Sequence, residues 1–194
     1  MLAIQTQLFE AQDVRFAPID YETHPAVESK WTHDAKFMRL MEITPIRPLS
    51  AEMVKKSYEN IEKEMDEDKN LFYFAIQTRE NNQFIGKALI EWIDWPNSNG
   101  FLRLGIGEAE YRRKGYGSQA LQMLLRFAFN ELNLYRVTAV VPAYNEGAIR
   151  LFQKFGFVEE VRRRKAIQRD AKTWDLISFG LLNAEWRDQV KGQE

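Results

Sequence analysis

The sequence predicts an α/β domain in which helices flank one mixed, mostly antiparallel β-sheet. Three observations support this prediction: strand-like segments alternate with amphipathic ones, two strand-like segments face each other across an Asn-Asn turn, and a long apolar helix separates later strands. The length of 194 residues and the hydrophobic content of 45% are sufficient for a sizeable core. Neither a repeat nor a low-complexity linker divides the sequence, so we expect a single domain over residues 1–194.

The N-terminal part is predicted to hold one strand and two helices. Residues 14–19 have the composition of a strand. Residues 21–41 are predicted to form one helix, because their apolar side chains recur on one face. A second helix begins near Ser50 and ends in the charged tract 62–70.

The remaining elements make up most of the predicted sheet. In order they are a hairpin over 71–95 that turns at Asn81 and Asn82, a turn over 96–100, a strand over 101–107, a long helix, a strand over 136–141, a helix over 145–154, and strands over 158–167 and 174–182. Strands and helices mixed around one sheet are typical of an α/β or α+β domain.

Composition excludes several classes of site. The net charge of -1 gives no overall excess that would attract nucleic acid or an anionic membrane. The sequence has no cysteine, which excludes disulfides, thiolate metal sites and a cysteine nucleophile, and fits a cytoplasmic protein. His24 and His33 lack the spacing of a metal motif, so we expect no metal site and interpret both as ordinary surface or helix residues.

The start of the long helix combines glycines with cations. Arg112, Arg113 and Lys114 precede Gly115 and Gly117. A helix N-terminus carries unsatisfied N–H groups and a partial positive charge, and glycine lets a phosphate approach the backbone. The segment is therefore interpreted as a pyrophosphate site, with a basic loop before an ordinary helix as the alternative. It is not a Walker loop, because no GKS or GKT follows.

The strands on either side of this helix contain residues that disfavour pairing. Gly105 and Gly107 lie in the preceding strand, where glycine marks a bulge or a close approach of another backbone or ligand. Pro142 interrupts the following strand, because it cannot donate a ladder hydrogen bond. Two such strands are expected to splay and to expose amides to an extended ligand. An anion site beside an amide-lined slot fits the pyrophosphate and pantetheine arm of coenzyme A.

Two motifs resemble those of the GNAT superfamily of N-acetyltransferases. RRKGYG matches the signature R/Q-x-x-G-x-G/A, and NEGAIRLFQKFGF, residues 145–157, matches the second block, an Asn before a helix that ends in Gly and an aromatic residue. The likeness covers residues 71–182 and implies the GNAT acyl-CoA fold. IGKALIEWIDW, EYRRKGYG, AFNELNLYRV and RDAKTWD resemble the branch of ribosomal-protein N-terminal acetyltransferases and spermidine acetyltransferases.

The resemblance implies acetyl-CoA as cosubstrate and assigns residues to it. Backbone groups from Arg113 to Ser118 would bind the pyrophosphate, Ile106 and its neighbours would pair with pantetheine, and Asn145 would contact the arm or the incoming amine. The implied cofactor-binding residues are Gly105, Ile106, Gly107, Arg112, Arg113, Lys114, Gly115, Tyr116, Gly117, Ser118, Asn145, Phe152 and Lys154.

The expected chemistry is direct attack of a primary amine on the thioester in a ternary complex, since no cysteine can form an acyl-enzyme. A mostly protonated amine needs a general base. Glu91, Asp94 and Glu108 are the nearest candidates by sequence. Backbone N–H groups at the predicted bulge would stabilise the oxyanion.

This sequence departs from the family pattern at two positions. Phe152 stands where many relatives have a general-acid tyrosine, so that role is vacant, is taken by Tyr144 or Tyr116, or is unnecessary because the thiol leaves unaided, which we favour. Leu102 stands where close relatives often have a glutamate. Both departures leave a rival interpretation open, a non-catalytic acyl-CoA-binding sensor.

The leading acceptor class is a peptide α-amine, with a polyamine or another small amine such as an aminoglycoside as alternatives. The acidic run 62–68 could attract a polyamine, but a solvated helix end is the simpler interpretation. The basic tract 161–169 could suggest RNA, but in a strand its cations alternate between faces. The expected partners are therefore an amine substrate and, from the resemblance, a second copy in a homodimer, without nucleic acid or membrane.

Overall fold

A computed structural model describes residues 7–67 and 69–191. Its helices and strands are, in chain order, β1 (Val14–Ala17), α1 (His24–Thr32), α2 (Ala35–Met41), α3 (Ala51–Glu67), β2 (Phe72–Thr78), β3 (Phe84–Asp94), β4 (Asn99–Ile106), α4 (Tyr116–Arg126), β5 (Arg136–Pro142), α5 (Glu146–Lys154), β6 (Val158–Arg169), β7 (Lys172–Leu182) and α6 (Asn183–Lys191). A 3-10 turn, Ala109–Tyr111, precedes α4, and a π-helical turn, Phe127–Glu131, extends it.

The strands form one seven-stranded sheet in the order β1-β2-β3-β4-β5-β7-β6. Within the described chain β4 and β5 are parallel, and the other neighbouring pairs are antiparallel. The predicted mixed, mostly antiparallel sheet flanked by helices is confirmed. β6 is an edge strand with largely exposed arginines, and charged side chains on an edge discourage pairing with another chain.

The sheet buries apolar side chains on both faces, since β3 is mostly buried along its length. On one face α4, α5 and α6 cover a core that includes Leu121, Phe129, Phe179 and Trp186. On the other face α1, α2 and α3 cover β2 and β3. Within the described residues, no helix is both long and apolar enough to cross a bilayer.

One expectation about the N-terminal part is wrong. The helix predicted over 21–41 is divided in two, because the Asp34 carboxylate accepts a hydrogen bond of 3.0 Å from the Phe37 N–H and starts a new helix there. His24 is a helix residue, one of the two expected alternatives, and it is buried in α1 with its ring stacked on Phe84 at 3.9 Å. The C-terminal helix α6 has no counterpart in the sequence prediction, and Asp68 of the acidic run lies outside the described residues.

Candidate active site

β4 and β5 separate after a short stretch of pairing. Their parallel ladder ends at Phe101↔Thr138 after three residue pairs, although β4 continues to Ile106 and β5 to Pro142. The predicted splay is confirmed. Because the strands are parallel, the gap opens at the C-terminal end of both, where α4 and α5 begin.

Part of the β4 backbone faces this gap. The Gly107 N–H donates to the Ile85 carbonyl of the β3 side at 2.8 Å. In an antiparallel ladder the direction of backbone groups alternates, so Leu104 and Ile106 direct theirs away from β3 and towards the gap. These amides are placed to pair with an extended ligand.

The loop before α4 presents a series of unpaired amides. Arg113 and Gly115 adopt positive φ angles of 62° and 90°, which turn consecutive N–H groups to one side. Within residues 7–67 and 69–191, the backbone N–H groups from Arg113 to Gly117 donate no hydrogen bond, whereas Ser118 donates to the Gly115 carbonyl at 3.0 Å. A concave set of free amides at a helix N-terminus is suited to an anion.

Glycine in this loop is not required by neighbouring side chains. A Cβ added to Gly115 would meet no heavy atom within 4 Å, and one added to Gly117 would meet only Ile106 Cγ1 at 4.0 Å. Gly115 is explained by its left-handed backbone. Gly117 is helical, so the chain itself gives no reason for glycine there, and the space beside it is open.

The glycines at 105 and 107 differ from those of the loop. The β3–β4 ladder is regular to Ile106↔Gly86, and just beyond it the N–H groups of Gly107 and Glu108 both donate to the Ile85 carbonyl, at 2.8 and 3.2 Å, which is the two-to-one pattern of a bulge. A Cβ at Gly105 would overlap Met41, and one at Gly107 would overlap the Trp31 indole. These two positions are therefore explained by side chains of α1 and α2 that pack against β4.

Arg112 is already held by the protein. Its Nε–H donates to the Ile106 carbonyl at 2.9 Å, and its Nη2 contacts the Gly107 carbonyl and the Asp34 carboxylate, the latter at 3.1 Å. Its guanidinium also lies 4.9 Å from the centre of the Phe37 ring. Arg112 thus fastens the end of β4 to α2.

Other cations of the loop are open to solvent. Arg113 and Lys114 are exposed, and the Lys114 ammonium lies 5.7 Å from the centre of the Tyr111 ring. Neither side chain forms an ion pair with the residues that the structure describes. Both remain available to an anion at the start of α4.

The residues that follow β5 connect α5 to α2. The Tyr144 hydroxyl donates to the Arg39 carbonyl at 2.8 Å, and the Asn145 Nδ2 donates to the Leu40 carbonyl at 3.2 Å. The Asn145 Oδ1 also accepts from the Ala148 N–H at 3.1 Å and so caps α5. Both polar atoms of the Asn145 side chain are therefore engaged.

The two predicted α5 contacts differ in exposure. Phe152 is only 5% exposed, and its ring packs edge-on against Phe157 with centres 5.0 Å apart. Lys154 is exposed at the end of the helix. Phe152 thus belongs to the core and could supply at most a wall of the gap.

A half-buried charged cluster lies on the α2 face of β3 and β4. Arg103 bridges Glu91 at 2.9 Å and Glu42 at 3.1 Å. Burial raises the pKa of Glu91, an effect that nearby Arg103 opposes and Glu42 reinforces. Glu42 was missed in the sequence because it becomes part of the site only when α2 folds onto the sheet.

The other two candidate carboxylates lie at opposite ends of β4. Glu108 follows the strand at the loop end, where its Oε1 accepts from the Trp31 Nε1–H at 2.9 Å. Asp94 lies at the other end, as the last residue of β3, where it accepts from the Asn97 side chain at 2.8 Å. Asp94 is therefore remote from the gap.

A cavity of about 540 Å³ lies between the chain that follows α2 and the β6–β7 hairpin. Arg39, Arg163, Arg169 and Asp170 contribute its charged lining, and Leu176 contributes to its wall. Leu176 pairs with Pro142 at the end of β5, so the cavity adjoins the open end of the gap. Arg163 and Arg169 belong to the basic tract 161–169, which the sequence suggested only as a possible RNA site. The cavity could not be predicted, because its charged residues come together from α2 and the β6–β7 hairpin.

Comparison with known families identifies the chain. The family of the acetyltransferase (GNAT) domain matches residues 13–158. The chain belongs to the GNAT acetyltransferase family. The predicted resemblance is confirmed, and the region matched contains the splayed strands and the loop before α4.

Individual GNAT relatives agree with this assignment. The SPbeta prophage-derived uncharacterized N-acetyltransferase YokL of Bacillus subtilis (strain 168) is 33% identical over 127 residues, which are 65% of this chain and 69% of that protein. Spermidine N-acetyltransferase from Vibrio cholerae, solved with CoA and spermine, has a TM-score of 0.78 at 16% identity and covers 90% of this chain and 98% of its own. Ribosomal-protein-S5-alanine acetyltransferase from Vibrio fischeri has a TM-score of 0.76 at 20% identity, with 92% and 97% covered.

Proposed function

We propose that this protein transfers the acetyl group of acetyl-CoA to a primary amine by direct attack in a ternary complex. The observation that carries the proposal is the row of unpaired amides from Arg113 to Gly117 at the open end of the β4–β5 gap. Membership of the GNAT family supports it. The CoA bound to the Vibrio cholerae relative supports the same cosubstrate.

The residues present fit acetyl-CoA, which would supply the acetyl group as a thioester. The amides before α4 would hold the diphosphate, and the exposed Arg113 and Lys114 side chains would add positive charge. The gap-facing backbone of Leu104 and the N–H of Ile106, whose carbonyl already accepts from Arg112, would pair with the amides of the pantetheine arm. Asn145 would position α5 through its cap instead of contacting the ligand with its side chain.

Glu91 is the general base that the geometry favours. With the diphosphate at the loop, an extended arm runs along β4 towards Phe101, where the strands rejoin. Glu91 is the cross-strand partner of Phe101, whereas Glu108 follows the opposite end of β4. Burial raises the pKa of Glu91, which brings the carboxylate closer to the range in which a base works at neutral pH.

The proposed proton route uses the half-buried cluster of Glu91, Arg103 and Glu42. Glu91 accepts the proton of the attacking amine, directly or through a water molecule, while Arg103 holds the carboxylate in place. The amine reaches Glu91 from the α2 side, since Arg103 also binds Glu42 at the end of that helix. The departing thiolate needs no tyrosine, so Phe152 is compatible with turnover.

A peptide α-amine is the acceptor class that we favour. The acidic tract of α3 lies away from the gap, because Asn70 just beyond it accepts from the Ile93 N–H, near the turn that begins β4. That placement removes the sequence feature that favoured a polyamine. The cavity beside the β6–β7 hairpin is lined by more arginines than acids, which is also unfavourable for a polycation.

Thiol release with acetyl-CoA and a panel of amines tests the proposal. The panel should hold peptides with free N-termini, spermidine and an aminoglycoside, and we expect turnover with the peptides. Glu91→Gln should lower kcat by about a hundredfold or more, while Glu108→Gln serves as the matched control. Tight acetyl-CoA binding without thiol release from any amine would contradict the proposal and favour the acyl-CoA sensor.

A further inference from the structure

The cavity beside the β6–β7 hairpin has an imbalance of charge. Three arginines, Arg39, Arg163 and Arg169, line it together with one acid, Asp170. Arg39 binds Asp170 through two hydrogen bonds of 2.7 and 3.1 Å, so those two charges compensate each other. Two positive charges of the lining remain.

Those two arginines lack acidic partners. Arg169 donates to the carbonyl oxygens of Glu42 at 2.8 Å and Thr44 at 3.0 Å, which are neutral acceptors. Arg163 is exposed and makes neither an ion pair nor a side-chain hydrogen bond with the described part of the chain. The buried Nε–H groups of Arg39 and Arg169 also have no acceptor there. An unsatisfied buried donor is costly, so a nearby anion would be favourable.

Three carboxylates of the segments that form the cavity are paired with other arginines. Glu159 and Asp175 both bind Arg162, at 2.7 and 3.4 Å. Glu42 directs its carboxylate to Arg103. The positive potential of the cavity is therefore not neutralised by its surroundings.

We propose that the acceptor carries an anionic group, a carboxylate or a phosphate, that binds against Arg163 and Arg169 while its amine reaches the β4–β5 gap. The inference rests on the proposed acetyltransferase function and specifies its substrate class. Leu176 lines the cavity and pairs with Pro142, at the end of a strand that borders the gap, so we expect one acceptor to extend from the cavity to the gap. A volume of about 540 Å³ is in the usual range for a small-molecule or side-chain site. A polyamine would bring like charge to the same arginines.

Matched peptides test the charge preference. Four peptides that differ only at the second residue, Asp, phosphoserine, Asn or Lys, would be compared by thiol release and by calorimetric binding. We expect the better of the two anionic peptides to exceed the Asn peptide about tenfold or more in kcat/KM, as for a hydrogen bond to a charged group, and the Lys peptide to be poorest. The Asp and phosphoserine peptides distinguish a carboxylate from a phosphate.

Substitution at the site identifies the residue responsible. Arg163→Gln should reduce the preference for the anionic peptide to about threefold or less, and Arg163→Glu should invert it, because the partner charge is lost or reversed. Arg164→Gln is the matched control, since it removes the same charge from the adjacent β6 residue, which does not line the cavity. The control should keep the full preference.

The outcomes separate this inference from the proposed function. Acetylation of all four peptides with equal efficiency, or equal losses in Arg163→Gln and Arg164→Gln, would overturn the anionic site and leave the acetyltransferase intact. Binding of an anionic peptide that depends on Arg163, without acetylation of any peptide, would support the site and contradict the proposed function.

Discussion

Substitutions at Gly117 separate cofactor binding from folding. Gly117 is the second residue of α4, and a Cβ there meets only Ile106 Cγ1 at 4.0 Å. Alanine fits without strain and has a better helix propensity, so Gly117→Ala should stabilise the free protein by about 0.5–1 kcal/mol. For a chain of this size that is a rise in Tm of roughly 1–4 °C.

The same methyl group should weaken acetyl-CoA binding, because it occupies the space through which a diphosphate would approach the amides. Gly117→Asn adds bulk, and Gly117→Asp adds both bulk and charge. Two unit charges about 4 Å apart near a protein surface repel by about 4 kcal/mol, before screening by salt. Gly117→Asp should therefore lose at least about a hundredfold in affinity, more than the Asn variant loses.

Thermal unfolding and calorimetric titration with acetyl-CoA measure the two effects separately. Gly147→Ala is the matched control, because Gly147 is the second residue of α5 and its added Cβ would lie 3.8 Å from Asn145 Oδ1. This control should gain stability without a comparable loss of affinity. Wild-type affinity in folded Gly117→Asp would refute the diphosphate assignment.

Three further predictions concern the packing at the end of β4, the proposed base and a buried ion pair between α1 and β3. Gly107→Ala should destabilise the protein by about 1–3 kcal/mol in urea unfolding, because the methyl overlaps the buried Trp31 indole. The kcat of the wild type should fall at acid pH with an apparent pKa above the ordinary glutamate value, because burial raises the pKa of Glu91, and Glu91→Gln should abolish this pH dependence. Lys87→Met should lower the free energy of unfolding by about 3–5 kcal/mol at neutral pH, because the buried Glu28 loses an ion pair of 2.5 Å. Adding Glu28→Gln to this variant should restore most of the lost stability.

The pH dependence of unfolding tests how ionisation of Glu28 contributes to the free energy of unfolding. Burial alone would raise the pKa of Glu28, but Lys87, Tyr58 and Tyr73 outweigh it, so the pKa is lowered. The stabilisation is therefore present above the ordinary glutamate value, about 4.5, and is lost as pH falls through the lower folded value. Glu28→Gln should lack this component.

A specific outcome would contradict each of these predictions. Gly107→Ala with wild-type stability would mean that Trp31 moves freely. Loss of this pH dependence of kcat in Glu108→Gln, with Glu91→Gln unaffected, would transfer the base role to Glu108. Equal stability of Lys87→Met with and without Glu28→Gln would show that Glu28 is not a buried unpaired charge in that variant.

The sheet and the loop before α4 could be predicted because their signals are local. Gly115 and Gly117 lie next to cations at the start of a helix, and the splay followed from glycine and proline near the ends of two strands. The break at Asp34 was missed, because apolar spacing continues across it while the cap depends on one carboxylate.

Contacts between distant segments could not be predicted. The glycines at 105 and 107 suggested room for a ligand, but Met41 and Trp31 fill that space once α1 and α2 fold onto β4. Arg112 looked like a phosphate ligand, yet nearby carbonyl groups and Asp34 hold its guanidinium. The arginine cavity likewise depends on the approach of α2 to the β6–β7 hairpin, which no local pattern encodes.

The most direct test of the account is an NMR titration of the labelled protein with CoA, followed at the backbone amides. The account predicts that the largest shift changes fall on residues 113–118, with further changes at Leu104 and Ile106 along the gap. Large changes confined to another surface, with the amides before α4 unmoved, would contradict it.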